Sequence, residues 1–298
     1  MITVRLKGGM GNQMFQYAFG RALALRNNDK LALDLTFLLD RTPRPNFVFR
    51  NYDLPIFAIE EHVTLLSSID KSIRIPLVFP LASETISGFK NKIGRQKYIR
   101  EPAQFDSQML LLEGNLYLNG YWQDERYFQS ITPTIRKEFT LRKPLSGESA
   151  ALRAEIVAEQ NAICVNIRRG DFVSVARSME RHGFVGVEYY EKGMAALREK
   201  IKDPHAYVFS DDIDWCKENL KFPGVPTTYV GYEYAGEKFG EYLALMSACK
   251  HFLIPNSTFG WWAAWLSVNP EKIVIAPKRW YADSDDDRGV VPSTWLRI

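Results

Sequence analysis

Three short polar clusters carry most of the chemistry open to this sequence. Asn166-Ile167-Arg168-Arg169-Gly170-Asp171, Ser210-Asp211-Asp212-Ile213-Asp214 and Asn256-Ser257-Thr258-Phe259-Gly260 each follow an apolar run of strand character. A guanidinium offers a planar fork that matches phosphate oxygens and stays charged at any physiological pH. Side chains alternate along a strand, so Asn166 and Arg168 share one face and Ile167 takes the other. Arg168 is therefore the candidate for a phosphate, and Arg169 for a bridge to Asp171 or to a more distant carboxylate. The aspartates admit three uses. One caps the following helix. A second gathers Asp211, Asp212 and Asp214 around a divalent cation. The third accepts hydrogen bonds from the N1–H and amino group of a guanine. Ser257 and Thr258 either cap the helix that follows them or, with its free N–H groups, donate to a phosphate.

A fourth cluster, Gly8-Gly9-Met10-Gly11-Asn12-Gln13, joins a strand to a helix. The third glycine of a dinucleotide fingerprint falls on Met14, and the Lys-Ser/Thr of a phosphate loop is absent. What remains is a tight loop with the amides of Asn12 and Gln13 turned toward a cleft. Asp283 to Gly289 begins like a calcium loop, but the glycine is one place late. Thr294 also stands where the bidentate glutamate belongs, so the stretch reads as a solvated turn. The four histidines and three cysteines show no metal-ligand spacing.

These clusters need a scaffold, and the apolar periodicity supplies one. Strands are expected at Ile2–Leu6, Leu31–Leu35 and Leu116–Tyr121, with helices at Gln13–Arg26 and Asp124–Ile131. Between 43 and 108 the pattern degrades. Lys143 to Gly147 reads as a linker, which gives domains 1–145 and 146–298. Beyond it, helices near 148–160, 189–200, 214–220, 237–248 and 261–268 alternate with strands. The strands are expected at 162–167, 206–209, 228–230, 252–254 and 273–276. Such alternation implies an α/β fold with parallel sheets covered by helices, and ligands gather beyond the carboxyl ends of those strands. The three clusters of the second half lie at such ends, so they should border one crevice. Trp261, Trp262 and Trp265 are expected in the core.

The chain has 298 residues, of which 46% are hydrophobic and 24% charged, so it can bury a substantial core. A net charge of +3 is too balanced for a surface devoted to nucleic acid. Seven basic residues between Lys71 and Arg100 form a local excess, read first as a solvated face and second as contact with an anionic partner. The longest run without Asp, Glu, Lys or Arg is His251 to Pro270; it contains Pro255, Asn256 and Gly260 and reads as core. Widely spaced cysteines and an N-terminus without an unbroken apolar stretch point to a reducing, cytoplasmic setting.

Taken in order, several motifs resemble those of a known family. They are Gly8-Gly9-Met10-Gly11-Asn12-Gln13-Met14-Phe15-Gln16-Tyr17, Gly120-Tyr121-Trp122-Gln123, Val165 to Val173, Ser210-Asp211-Asp212, Asn256 to Trp262 and Ala276-Pro277-Lys278-Arg279-Trp280. Together they resemble the α-1,2-fucosyltransferases of glycosyltransferase family 11. The resemblance implies a GT-B architecture, two Rossmann-like domains with parallel sheets facing across a cleft. It implies inverting transfer of L-fucose from GDP-β-L-fucose to the 2-hydroxyl of a terminal β-galactoside, with no metal or other cofactor. Arg168 and Asp171 would then be catalytic. Asn166, Arg169, Asp211, Asp212, Asn256, Ser257, Thr258 and Phe259 would hold the donor, and Gly11, Asn12 and Gln13 would face the sugar or acceptor. Peripheral contact with a membrane or lipid-linked glycan fits the same reading. A metal-dependent glycosyltransferase using Asp211, Asp212 and Asp214 is the alternative enzyme; a nucleotide-sugar-binding protein without turnover is the alternative outside catalysis. The chain departs from the family pattern at Asn166, where His is usual, and at Gly260, where Ser is frequent. Asparagine can hydrogen-bond there but cannot act as a base near neutral pH.

Overall fold

The computed structural model describes residues 1–45, 47–59, 64–66, 96–169, 185–281, 284, 287 and 289–298. The chain divides into two compact units. The first comprises Met1–Leu54 and Ile59–Ile135, and the second Pro55–Ala58 and Arg136–Ile298. The division thus falls at 135/136 rather than at 145/146. The linker stretch belongs to the second unit, because the preceding residues are tied to 55–58. Ala58 N–H donates to Thr140 O and Arg142 N–H to Ile56 O, both at 2.8 Å. Phe139 then packs between Phe57 and Trp262, with ring centroids 5.2 Å away on each side.

Among the described residues, the first unit holds strands β1 (Ile2–Arg5), β2 (Leu31–Asp34), β3 (Thr64–Leu66), β4 (Lys97–Arg100) and β5 (Leu116–Asn119). They form one parallel sheet in the order β3-β2-β1-β5-β4. The helix Met10–Arg26 crosses one face, and almost all of its side chains from Met10 to Ala24 are buried. One side of it meets the sheet so closely that a Cβ on Gly20 would lie 2.3 Å from Val4 Cγ2. The other side is covered by aromatics: Phe19 sits 4.5 Å from Trp122 and 4.8 Å from Tyr127. A helix buried all round carries no amphipathic stripe, which explains its nearly continuous apolar reading.

The second unit holds β6 (Ala162–Ile167), β7 (His205–Ser210), β8 (Thr227–Val230), β9 (His251–Leu253), β10 (Val274–Ala276) and β11 (Leu296–Arg297). These strands are parallel in the order β11-β10-β9-β6-β7-β8. The chain leaves β6 toward β7 and β8, then returns to lay β9 on the opposite side of β6. The reversal makes a topological switch point between β6 and β9, the place where ligands gather in open parallel sheets. All six residues of β6 are buried, as a strand covered on both faces requires. Ile163, Val165 and Ile167 pack against Tyr190, Met194 and Leu197 of the helix Val187–Arg198. On the opposite face, Phe209 meets Tyr242 of the helix Gly240–Ala248. The α/β class with parallel sheets in each unit is the one the sequence implies.

Several elements differ from their sequence reading; helices begin up to three residues early, at Met10, Val187 and Thr258, and three further differences have a local reason. β5 ends at Asn119 because Glu101 accepts hydrogen bonds from the N–H groups of Tyr121 and Trp122, both at 2.6 Å, and Trp122 turns to a φ of 56°. The helix expected at 124–131 is two short 3-10 turns, Glu125–Tyr127 and Gln129–Ile131. The buried Asp124 bonds both the N–H and the guanidinium of Arg126. The helix expected from Glu237 starts at Gly240, after Lys238 and Phe239 adopt φ values of 51° and 61°. The three tryptophans of the helix Thr258–Leu266 are in the core. The solvated reading of the 283–289 turn lies mostly outside the described residues; Asp287, within them, pairs with Arg297.

Gly20→Val tests the close contact that seats the first helix. The added carbons overlap Val4 and Leu31, so stability should fall by ~1–3 kcal/mol in urea titration. An unchanged midpoint would mean that the helix does not rest on β1 and β2 as described.

Candidate active site

In the second unit, the segments that follow β6, β7, β8 and β9 bring polar groups to the carboxyl end of the sheet. Arg168 follows the last residue of β6, and its Nη1 lies 3.0 Å from Asp211 Oδ2. Asp211 follows β7, and its Oδ1 accepts the backbone N–H of Arg169 at 2.7 Å. One carboxylate therefore fixes both the direction of the Arg168 side chain and the turn of the chain beneath it. Tyr232, which follows β8, donates its hydroxyl to Asp211 O. Burial, and then the charge of Asp211, raise the Tyr232 phenol above its ordinary pKa, so it remains a donor.

Arg169 does separate work. Its Nε–H donates to Asp212 Oδ2 at 3.0 Å, and its guanidinium carbon sits 3.8 Å from the centroid of the Trp215 ring. The carboxylate bridge expected of Arg169 is thus made to Asp212. Asp212 also accepts Trp215 N–H at 3.4 Å and opens the helix Ile213–Asn219, so the capping use is realised there. Asp214 is 87% exposed and pairs with Lys217. The three carboxylates go to three different partners, and among the described residues no group of three acidic, His or Cys side chains is arranged to hold a metal ion.

Beyond β9 the chain enters the helix Thr258–Leu266, with Ser257 at the N-cap position. No side-chain capping bond from Ser257 is made, so this helix keeps the positive end of its dipole without an internal acceptor from that residue. Ser257, Thr258 and Phe259 are half-buried. Asn256 instead points inward: it is 4% exposed, and its Nδ2 donates to Trp280 O at 3.1 Å, binding the loop after β10 to the loop after β9. The amide of Asn166 is likewise inside, with Nδ2 donating to Phe209 O at 3.3 Å. The two positions where the chain departs from the family pattern touch each other: a Cβ on Gly260 would lie 2.5 Å from Asn166 Oδ1. Asp171 lies outside the described residues.

Two tyrosines that sequence reasoning did not single out brace this layer from below. Tyr190 donates its hydroxyl to Asn166 O at 3.2 Å, and Tyr189 donates to Ile254 O at 2.6 Å. They hold the last turns of β6 and β9 through backbone carbonyls. Burial drives both phenols well above the ordinary tyrosine range, keeping them as donors. The Tyr-Tyr pair at the start of a helix between two strands is the only trace of this in the sequence.

In the first unit, Gln13 is fully buried and spends its amide internally. Its Nε2 donates to Gly8 O and Asn51 O, and its Oε1 accepts Asp53 N–H. Gly11 is buried as well. Asn12 is half-buried and its Oδ1 accepts from Gln123 at 2.6 Å. Gln16 ties the loops after β1 and β5 together through Lys7 and Gly120. Of the first-unit candidates, Asn12 alone sits partly at the surface.

The geometry defines a doubly wound α/β protein whose second unit presents an oriented guanidinium and a helix start at its switch point, an arrangement suited to a phosphorylated ligand. Comparison with known proteins makes this specific. Residues 1–289 match the model of glycosyl transferase family 11, and the chain belongs to that family. It is 30% identical to an α-1,2-colitosyltransferase of Escherichia coli, over 100% of this chain and 99% of that one. It is 28% identical to the O-antigen biosynthesis glycosyltransferase WbnK of Escherichia coli, over 98% and 99%. It is also 28% identical to mouse galactoside 2-alpha-L-fucosyltransferase Sec1, over 90% of this chain and 64% of that protein. The protein is a glycosyltransferase. No helix among the described residues is long and apolar enough to cross a membrane.

The two neighbouring arginines should separate by experiment. Arg169→Lys keeps the charge but loses the planar stack on Trp215 and the Nε bond, so stability should fall by ~1–2 kcal/mol with a shift in tryptophan emission. Arg168→Lys should leave the denaturation midpoint nearly unchanged. Equal loss in both variants would contradict the division of labour drawn here.

Proposed function

We propose that this enzyme transfers L-fucose from GDP-β-L-fucose to the 2-hydroxyl of a terminal β-galactoside, with inversion and without a metal ion. The observation that carries the reading is Arg168, aimed by Asp211 from the end of a central strand whose other neighbour, β9, leads into a helix start that has no side-chain cap. In the reaction the acceptor oxygen forms a bond to C1 of the sugar as the bond from C1 to the β-phosphate oxygen breaks. The electron pair leaves with GDP. Negative charge grows on the β-phosphate, and a fixed guanidinium with helix N–H donors stabilises it without reorganisation. Asp171 is assigned as the group that receives the acceptor proton, on the sequence reasoning alone. Asp211 and Asp212 were candidates for reading guanine; their bonds to Arg168 and Arg169 favour an orienting role for Asp211 and a capping role for Asp212. Acceptor recognition is assigned to the first unit, with Asn12 its best-supported residue. A lipid-linked or free glycan bearing the β-galactoside is the acceptor class.

A second reading concerns the donor sugar. The match along nearly the whole length of an α-1,2-colitosyltransferase supports GDP-colitose, in which the fucose 3-hydroxyl is missing. Purified protein given lactose and each donor separates the two through release of GDP and linkage analysis of the product. We expect α-1,2-fucosyllactose from GDP-fucose, activity retained in a chelator and none with an ADP-sugar. Loss of activity in the chelator would favour the metal-dependent reading, and absence of turnover with either donor would favour a binding protein. Arg168→Ala should lower kcat a hundred- to a thousandfold, about 3–4 kcal/mol, with the fold retained. Near-normal turnover in that variant would remove Arg168 from the chemistry.

A further inference from the structure

The contact between Asn166 and Gly260 does more than fill space. Asn166 is the penultimate residue of β6 and 7% exposed. Its Nδ2 is committed to Phe209 O on the neighbouring strand. Rotating the amide by a half turn would set one oxygen against another, so the carboxamide has one orientation. That orientation sends Oδ1 toward the helix Thr258–Leu266, where it is buried without a hydrogen-bond partner. It meets Gly260, the third residue of that helix, at the spot a side chain would occupy: a Cβ there would stand 2.5 Å from Oδ1 and 3.3 Å from Cγ. Gly260 has ordinary helical backbone, so room, not conformation, requires glycine here.

We propose that Asn166 and Gly260 form a positioning pair that sets the gap between the start of this helix and the strand end bearing Arg168. The carboxamide, anchored to β7, is a rigid spacer against which the first helical turn comes to rest. The helix backbone can come this near only because residue 260 has no side chain. With the carboxamide of Asn166 anchored to Phe209 O, a Cβ at 260 displaces the helix start from the end of β6 unless residue 166 is shortened. The inference rests on the donor reading only where it concerns catalysis, because the pieces being spaced are those assigned to the diphosphate. Misplacing such groups by a fraction of an ångström weakens charge stabilisation in the transition state more than it weakens binding in the ground state.

The test is a cycle of Gly260→Ala, Asn166→Ala and the double variant. Thermal midpoints report the contact itself, and kcat and KM with GDP-fucose and lactose report its consequence. Gly260→Ala alone should lower the midpoint and reduce kcat on the order of tenfold, with a smaller change in KM for the donor. Adding Asn166→Ala should restore much of both, so that the double variant is better than Gly260→Ala alone. If Gly260→Ala fails to fold, folding of the double variant is the rescue. Additive losses, or a double variant that also fails to fold, overturn the pair. Rescue of the midpoint without rescue of kcat overturns the positioning role and leaves only a packing contact. Coupled midpoints in a protein that turns over neither nucleotide sugar would refute the donor reading and leave the spacing intact.

Discussion

The site depends on one ion pair at the end of one strand. A lone guanidinium on a flexible stem would sample many directions, and an enzyme that uses it to neutralise a departing phosphate would lose the advantage of having it in place beforehand. Asp211 removes that freedom by pairing with Arg168 through one oxygen and holding the next backbone N–H through the other. The strand end, the turn and the charge are thereby fixed together. β6 and β7 run in register from Ala162 to Ile167, so Arg168 and Asp211 emerge side by side. Their meeting is a consequence of the sheet.

The same sheet explains why the other pieces are near. β9 lies on the side of β6 opposite β7, and the helix that follows it starts at the same end of the sheet as Arg168 and Asp211. Below that level the hydroxyls of Tyr189 and Tyr190 hold backbone carbonyls, and Asn256 binds the loops after β9 and β10 to each other. Buried polar groups with their bonds made give a layer that cannot easily shift, which is what a preorganised site requires. In the first unit the corresponding level is closed by amides: Gln13 and Gln16 spend themselves on their own loops, and Asn12 is held by Gln123.

The sequence was most informative where strands are buried on both faces. β6 has the limits that its sequence implies, since Ala162 to Ile167 is unbroken and apolar except for Asn166. The arrival of three polar clusters at strand ends was legible as well, because parallel alternation fixes which end each loop occupies. Edge strands were not: β4 reads Lys-Tyr-Ile-Arg, with only Ile99 buried, and offers little apolar pattern. Individual roles were also hidden, because a residue type does not say which way it turns. Gln13 and Asn256 have the chemistry of ligand-binding amides and spend it inside the protein. The proximity of Asn166 to Gly260, 94 positions apart, follows only from the order of β6 and β9 in the sheet.

A crystal structure of the protein with GDP-β-L-fucose, or with GDP and the acceptor, examines the central claim most directly. The guanidinium of Arg168 is expected within about 2.7–3.1 Å of a β-phosphate oxygen, with Asp211 still beside it and no cation bridging the diphosphate. A diphosphate held by a metal ion, with Arg168 turned away from it, would contradict the account at its base.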